Sequence, residues 1–218
     1  MAGRRKYGEG CAVTHALDLI GERWALVIVR ELLLGPKRFS DLRAGIPGAS
    51  ADMLSTRLRE LHEAGVVVQR RLPPPAASQV YELTSWGAEL DQVITDLGRW
   101  GSRSPTLEHD ADTSVDSVML SLRAMFDPAT AAGWAATIAL VVDGRPFRVE
   151  IADAELRLSA GPTDEPTVTI ATDRGTLVAL LYSGRALADA VRDGTVLVDG
   201  PSAVAEHFLR LFPLPEPA

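Results

Sequence analysis

FSDLRAGIPGASADMLSTRLRELHEAGVV, residues 39–67, is the stretch on which the fold turns. Residues 39–44 make a short helix, and Gly45-Ile46-Pro47-Gly48 breaks it. Ser50 stands at the N-cap of a second helix, where its hydroxyl oxygen accepts from amides left free in the first turn. Leu54, Leu58 and Leu61 recur at i, i+4 and i+7 and so share one helix face. At about 100° per residue, Asp52, Ser55, Thr56 and Arg59 fall on the opposite face. Gly65 ends this helix and Val66-Val67-Val68 opens a strand. Two helices across a short turn, the second polar and arginine-bearing, form the helix-turn-helix pattern. A plain helical hairpin with a solvated charged face meets that pattern equally well. The residues that follow decide between them. Residues 66–72 and 80–83 read as two strands around a tip at 73–79, and a helix-turn-helix followed at once by a β-hairpin is a winged helix.

A winged helix reads DNA with its second helix. Ala51, Asp52, Ser55, Thr56 and Arg59 are expected to face base edges, with Ser50 at the helix start and Arg57 toward the flank and backbone. Arginine can hold guanine bidentately, Ser and Thr are ambiguous readers, and Asp52 can accept from a cytosine amino group. Lys37 and Arg38 precede the first helix of the motif and are expected at phosphates, a solvated loop being the alternative. Arg70 and Arg71 are adjacent on a strand and point to opposite faces. One of them is expected to meet DNA and the other to pair with Glu82. The wing tip itself holds no basic residue, which argues against minor-groove reading by this wing.

The chain has 218 residues, enough for two domains of about 100 each. Its net charge of −7 looks wrong for a DNA-binder until it is divided. Residues 1–104 carry 14 basic and 12 acidic side chains, a net of +2; residues 105–218 carry 8 and 17, a net of −9. Local sign governs phosphate contact, and residues 37–71 hold 7 basic against 4 acidic side chains. No run of about 18 apolar residues exists, so no membrane partner or span is expected. Arg4, Arg5 and Lys6 are followed by no apolar core, so the start of the chain does not read as a signal peptide. One cysteine allows no intramolecular disulfide and suits a reducing, cytoplasmic compartment. His15, His62, His109 and His207 are scattered without metal-ligand spacing, and no cofactor is expected.

Residues 12–20 and 23–34 read as helices; the second is apolar nearly all round and is expected at the centre of the first domain. Thr84 or Ser85 caps a helix to Trp100, with Leu90, Val93, Ile94, Leu97 and Trp100 in its apolar stripe. That stripe exceeds what a small winged domain needs. The surplus is expected to pack with the N-terminal helices of a second copy, giving a two-fold dimer on a palindromic operator. Packing on its own domain is the alternative.

The density of motifs in the first 100 residues carries a resemblance. YGEGCAVTHALDLIGERW, RFSDL, LSTRLREL, EAGVV and YELT together resemble the HxlR-type winged-helix transcriptional regulators. The resemblance implies a homodimeric bacterial regulator, often a repressor, sometimes responding to small molecules or oxidants. Cys11 matches the cysteine that some members use as a thiol sensor. A sensor needs a thiolate, favoured by nearby positive charge, and access to solvent or a partner thiol. A small residue in a dimer interface is the other reading of Cys11.

Residues 101–115 are polar and acidic and contain Pro105; the linker is placed at 105–114. Beyond it, residues 115–127 read as an amphipathic helix, followed by apolar runs at 135–142, 147–151, 154–158 and 167–171, with Asp143-Gly144 as a hairpin turn. Helices are expected at 174–182, 187–192 and 204–212, with a strand at 194–198. Strands first and helices after indicate an α+β domain: one antiparallel sheet with helices on a single face. GTLVALLYSGRALADAVRDGTVLVDGPSAVAEHFLRLF is similar to the sterol-carrier-type lipid-binding fold. That similarity implies an apolar tunnel, with Leu177, Leu180, Leu181, Leu187, Val191, Phe208, Leu211 and Phe212 as lining residues. Ordinary core is the alternative for each of them.

The expectation is therefore a winged helix-turn-helix domain at 1–104 and a sterol-carrier-like domain at 115–218. No catalytic constellation is present, so no enzyme is expected. The leading reading is a dimeric, sequence-specific regulator of double-stranded DNA, acting as a repressor and controlled by an apolar small molecule. The alternatives are a redox-responsive regulator using Cys11, with the second domain as an oligomerisation module, and a lipid carrier tethered to DNA.

Overall fold

The computed structural model describes residues 7–73, 77–108 and 113–218. Arg4, Arg5, Lys6 and His109, which the sequence reading mentions, lie outside these residues, as does the wing tip at 74–76. By contact density the chain divides into two units, Met1–Ile94 and Thr95–Ala218.

The first unit contains α1 (Ala12–Ile20), α2 (Ala25–Leu32), α3 (Phe39–Gly45), α4 (Ala51–Glu63), β1 (Val67–Arg71), β2 (Gln79–Leu83) and α5 (Ser85–Ala88). α6 (Leu90–Gly101) begins in this unit and ends in the second. Ala25, Ile28, Val29 and Leu32 of α2 are buried and meet Leu42, Ile46, Leu54, Leu58 and Leu61, so α2 is the core helix that its sequence requires. It starts two residues later than periodicity suggests, because Trp24 takes a left-handed backbone, φ 77°. β1 and β2 pair antiparallel, Val67 opposite Leu83 and Arg71 opposite Gln79. Lys37 extends the wing by one bridge to Tyr81.

The single helix expected at 84–100 is two helices. Thr84 caps α5, its hydroxyl accepting from the Gly87 amide at 2.9 Å. Gly87 lies so near the Val66 carbonyl that a β-carbon would overlap it, which holds α5 against the wing and offsets it from α6.

The second unit continues with α7 (Val115–Met125), β3 (Ala136–Val142), β4 (Arg145–Ala152), β5 (Glu155–Ala160), β6 (Val168–Thr172), α8 (Arg174–Tyr182), α9 (Leu187–Arg192), β7 (Val196–Asp199) and α10 (Ser202–Leu209). Strand order is β5-β4-β3-β6-β7. The sheet is mixed rather than antiparallel, since β6 runs parallel to β3, Ile138 beside Val168. After the β3–β4–β5 meander the chain crosses back through residues 161–167 to the free edge of β3 and enters β6 in the same direction. Asp143 and Gly144, φ 50° and 76°, make the tight β3–β4 turn. Alternate residues, among them Ile138, Leu140, Phe147, Val149, Val168 and Ile170, are buried while their neighbours are not, so the helices cover one face. α7 is buried on most sides rather than amphipathic; its buried Asp116 takes a bidentate pair from Arg145, at 2.6 and 3.1 Å.

Candidate nucleic-acid interface

α4 begins where its cap dictates. The Ser50 hydroxyl oxygen accepts from the Met53 amide at 3.3 Å. Leu54, Leu58 and Leu61 point into the core, and the outer face exposes Asp52, Met53, Ser55 and Arg59, with Ala51 and Thr56 half-buried beside them. Arg59 is 61% exposed and only loosely near Glu63, at 3.9 Å. A helix with its apolar stripe fixed in a core and a polar, arginine-bearing strip outside has the form of a groove reader.

Of the expected cations, Lys37 and Arg57 are withdrawn into the fold, and Arg70 is exposed but clamped across the wing. Lys37 is a correction: its ammonium lies 2.7 Å from Glu31, a carboxylate with no exposed side-chain surface, and is itself 11% exposed. Arg30 completes this cluster at 2.9 Å from the other Glu31 oxygen. Gly45 is the residue that makes room, since a β-carbon there would meet a Glu31 oxygen at 2.5 Å. Arg57 is also a correction. It is 6% exposed, its guanidinium bonded to Glu60 and lying 3.5 Å from Glu22, so it does not flank the outer strip. Arg70 forks onto Glu82 at 2.8–3.0 Å across the hairpin, as the strand alternation anticipated for one of the two wing arginines.

Of the seven cations in 37–71, these three have carboxylate partners within 3.5 Å, Arg70 from an exposed position. Arg38, Arg43, Arg59 and Arg71 remain on the surface. No ion pair holds Arg71 among the described residues. Arg43, in the last turn of α3, is exposed about 100° round the helix from buried Leu42 and was not among the residues expected at DNA.

The other candidate residues sit as follows. Leu177, Phe208, Leu211 and Phe212 are fully buried, Leu180 and Leu187 nearly so, and Leu181 is half-buried. Phe208 meets Phe212 edge-on at 5.1 Å, and Phe212 meets Phe126 at 6.2 Å. Val191 is 45% exposed and so leaves the lining set, because it lies on the outer side of α9. Near this cluster's helices, Tyr182 shares a hydrogen bond with Ser121 at 2.8 Å, and burial pushes its hydroxyl up to about 12. Cys11 is half-buried at the N-cap of α1. Its thiolate would accept from the backbone of Thr14 and then Val13, and those bonds lower its pKa below the usual thiol value. Alkylation of Cys11 by iodoacetamide should therefore run at a lower pH in the native protein than in urea; coincident pH profiles would contradict this.

Among the described residues no group of three or more His, Cys, Asp and Glu could hold a metal ion, and no helix is long and apolar enough to cross a membrane.

Helix, turn, recognition helix and two-stranded wing together define the class of winged helix-turn-helix DNA-binding proteins. The sequence profile described as HxlR-like helix-turn-helix matches residues 19–108. The chain is 37% identical over 98 residues to the HTH-type transcriptional regulator YdeP of Bacillus subtilis, which spans 44% of this chain and 74% of that protein. It is 35% identical over 88 residues to YodB of the same organism, 40% of this chain and 79% of that one. Rv3095 of Mycobacterium tuberculosis is 39% identical over 93 residues, 43% and 58% of the two chains. Among solved structures, the reduced form of YodB aligns with 32% identity and a TM-score of 0.40, over 45% of this chain and 97% of that one. The chain belongs, through its first half, to the HxlR-like helix-turn-helix family of transcriptional regulators.

Proposed function

We propose that the chain is a homodimeric regulator, acting as a repressor, that reads a palindromic operator with α4 and answers to an apolar small molecule in its second half. The observation that carries the DNA reading is the exposed strip of Asp52, Ser55 and Arg59 on a helix whose reverse face is core. Ala51 and Thr56 border that strip, and Ser50, Arg38 and Arg71 are its phosphate contacts. Arg43 joins them. Dimerisation is supported by two helices that set only part of their apolar stripes, Ile20 of α1 and Leu90 and Ile94 of α6, against the core. α1 leaves Val13 and Leu17 exposed, and α6 leaves Val93, Leu97 and Trp100 exposed, the last at 74%. Such apolar surface is what a second copy would cover.

We place the DNA-binding and dimerisation domain at 1–104, the linker at 105–114 and a sterol-carrier-like domain at 115–218. Support for the last is the order of elements and the single buried sheet face beneath Leu177, Leu180, Leu181, Leu187, Phe208, Leu211 and Phe212. An effector there would alter operator affinity only by binding the DNA-free and DNA-bound forms unequally. A second reading, in which oxidation of Cys11 switches the regulator, is favoured by the place of the thiol at the N-cap position of α1, where the amides of Thr14 and Val13 lower its pKa.

Fluorescence anisotropy on duplexes tiling the DNA upstream of the gene, against scrambled duplexes, tests the proposal. Tight binding confined to one palindromic tile is expected; equal, salt-sensitive binding to all tiles overturns sequence-specific reading there. Arg59→Ala should cost about 1–3 kcal/mol of operator affinity and relax specificity at one position. An unchanged affinity would remove Arg59 from the reading face.

A further inference from the structure

We infer that Glu22 and Trp24 are positioning residues for operator reading: from the loop before α2 they set the start and the roll of α4 without touching DNA. This rests on the reading of α4 as the recognition helix. The run Gly21-Glu22-Arg23-Trp24 is one of the motifs that mark the chain, and the outer strip of α4 gives it no role.

The first point of hold is at the middle of α4. Arg57 lies on the inward side of a helix whose other inward residues are leucines, and it is 6% exposed. A guanidinium taken out of water is costly unless paired and hydrogen-bonded. Glu60 pairs with it from the same helix, which constrains nothing outside α4. Glu22 approaches to 3.5 Å from a different element, 35 residues away in sequence, and this contact ties α4 to the α1–α2 loop. Leucines in a core tolerate some roll of the helix; a directional ion pair tolerates less.

The second point is at the start. Trp24 has φ 77°, a left-handed backbone that is a rare outlier for a bulky residue and persists only where its surroundings determine it. Its carbonyl accepts from the Ile28 amide at 2.9 Å, which anchors it to the buried α2. The edge of its ring fills the space beside Gly48, where a β-carbon would stand 2.8 Å from Cη2. Arg23 lies over the same ring at 4.7 Å. Gly48 is two residues before the Ser50 cap, so the indole fixes where the first turn of α4 begins.

A bracket, the loop tied to the buried α2 through Trp24, therefore meets the recognition helix at two places, at Gly48 through the indole and at Arg57 through the half-exposed Glu22. Base-edge hydrogen bonds need close placement, whereas phosphate attraction depends mainly on charge. Loosening the bracket should erode sequence preference and leave the non-specific salt dependence as it is.

The test uses the full chain with Glu22→Gln and, separately, Gly48→Ala. In the DNA-free protein, amide hydrogen exchange should speed up across α4 and stay unchanged in α2. On DNA, the ratio of operator to scrambled-duplex affinity should fall about tenfold, the scale of one lost base contact, with an unchanged salt slope. If Gly48→Ala does not fold, Glu22→Gln alone carries both readouts. Unchanged exchange in α4 overturns the bracket whatever happens on DNA. Faster exchange with an unaltered affinity ratio overturns its role in reading. Wild-type protein without any operator preference would instead overturn the DNA-reading assignment, and the exchange data would then still decide whether the bracket holds α4. A salt slope lowered by about one for Arg57→Ala would place Arg57 at a phosphate and overturn the inference.

Discussion

Lys37→Met is expected to lower the unfolding free energy of the first unit by about 3–5 kcal/mol, the usual cost of removing one partner from a buried ion pair. Glu31 has no exposed side-chain surface, and the substitution removes the ammonium 2.7 Å from its carboxylate, leaving Arg30 at 2.9 Å. The same residue holds the wing, since the Lys37 backbone exchanges two hydrogen bonds with Tyr81, at 2.8 and 3.0 Å. Those backbone bonds survive the substitution, so the loss belongs to the ammonium. A lower urea midpoint, with weakened exchange protection in α2, is the measurement that checks it. A variant of wild-type stability whose DNA binding shows a salt slope reduced by about one would return Lys37 to the phosphate backbone.

Phe208→Ala carries the other large expectation, a loss of about 3–5 kcal/mol in the second unit, as for a large aromatic removed from a filled core. Phe208 is 0% exposed and is wedged edge-on against Phe212, which in turn meets Phe126. This result separates two readings of the same residues. If the cluster is close-packed, the cavity left behind is costly and the variant unfolds early in urea. If Phe208 instead borders a space that an apolar molecule occupies, the loss is smaller and the affinity for a dansyl-labelled fatty acid changes. A small loss of stability with no change in probe binding would contradict both.

Much of the fold was legible because it is local. Ser50 and Thr84 are caps, and both accept from an amide three residues on. Asp143-Gly144 forms the turn that its residues favour. The spacing of Leu54, Leu58 and Leu61 gives one buried face of α4. Less legible was whatever depends on a distant neighbour. The break between α5 and α6 follows from the Val66 carbonyl beside Gly87, 21 residues away, and no local signal announces it. The parallel pairing of β6 with β3 arises because the chain returns past two strands to a free edge, while the hydrophobic pattern of β6 is compatible with either direction.

Charge shows the division most sharply. The sequence by itself determined that residues 37–71 are rich in cations, that a reading helix lies among them, and which of its faces is polar, since helical periodicity follows from local spacing. Only the tertiary structure decided which cations are free to meet DNA. Lys37 and Arg70 find Glu31 and Glu82 at 6 and 12 residues' separation, and Arg57 reaches Glu22 at 35 besides Glu60 on its own helix; Arg38, Arg43, Arg59 and Arg71 stay at the surface, as does the clamped Arg70. Electrostatic pairing depends on distance in space and on exclusion of water, and neither is encoded in the spacing of residues along the chain.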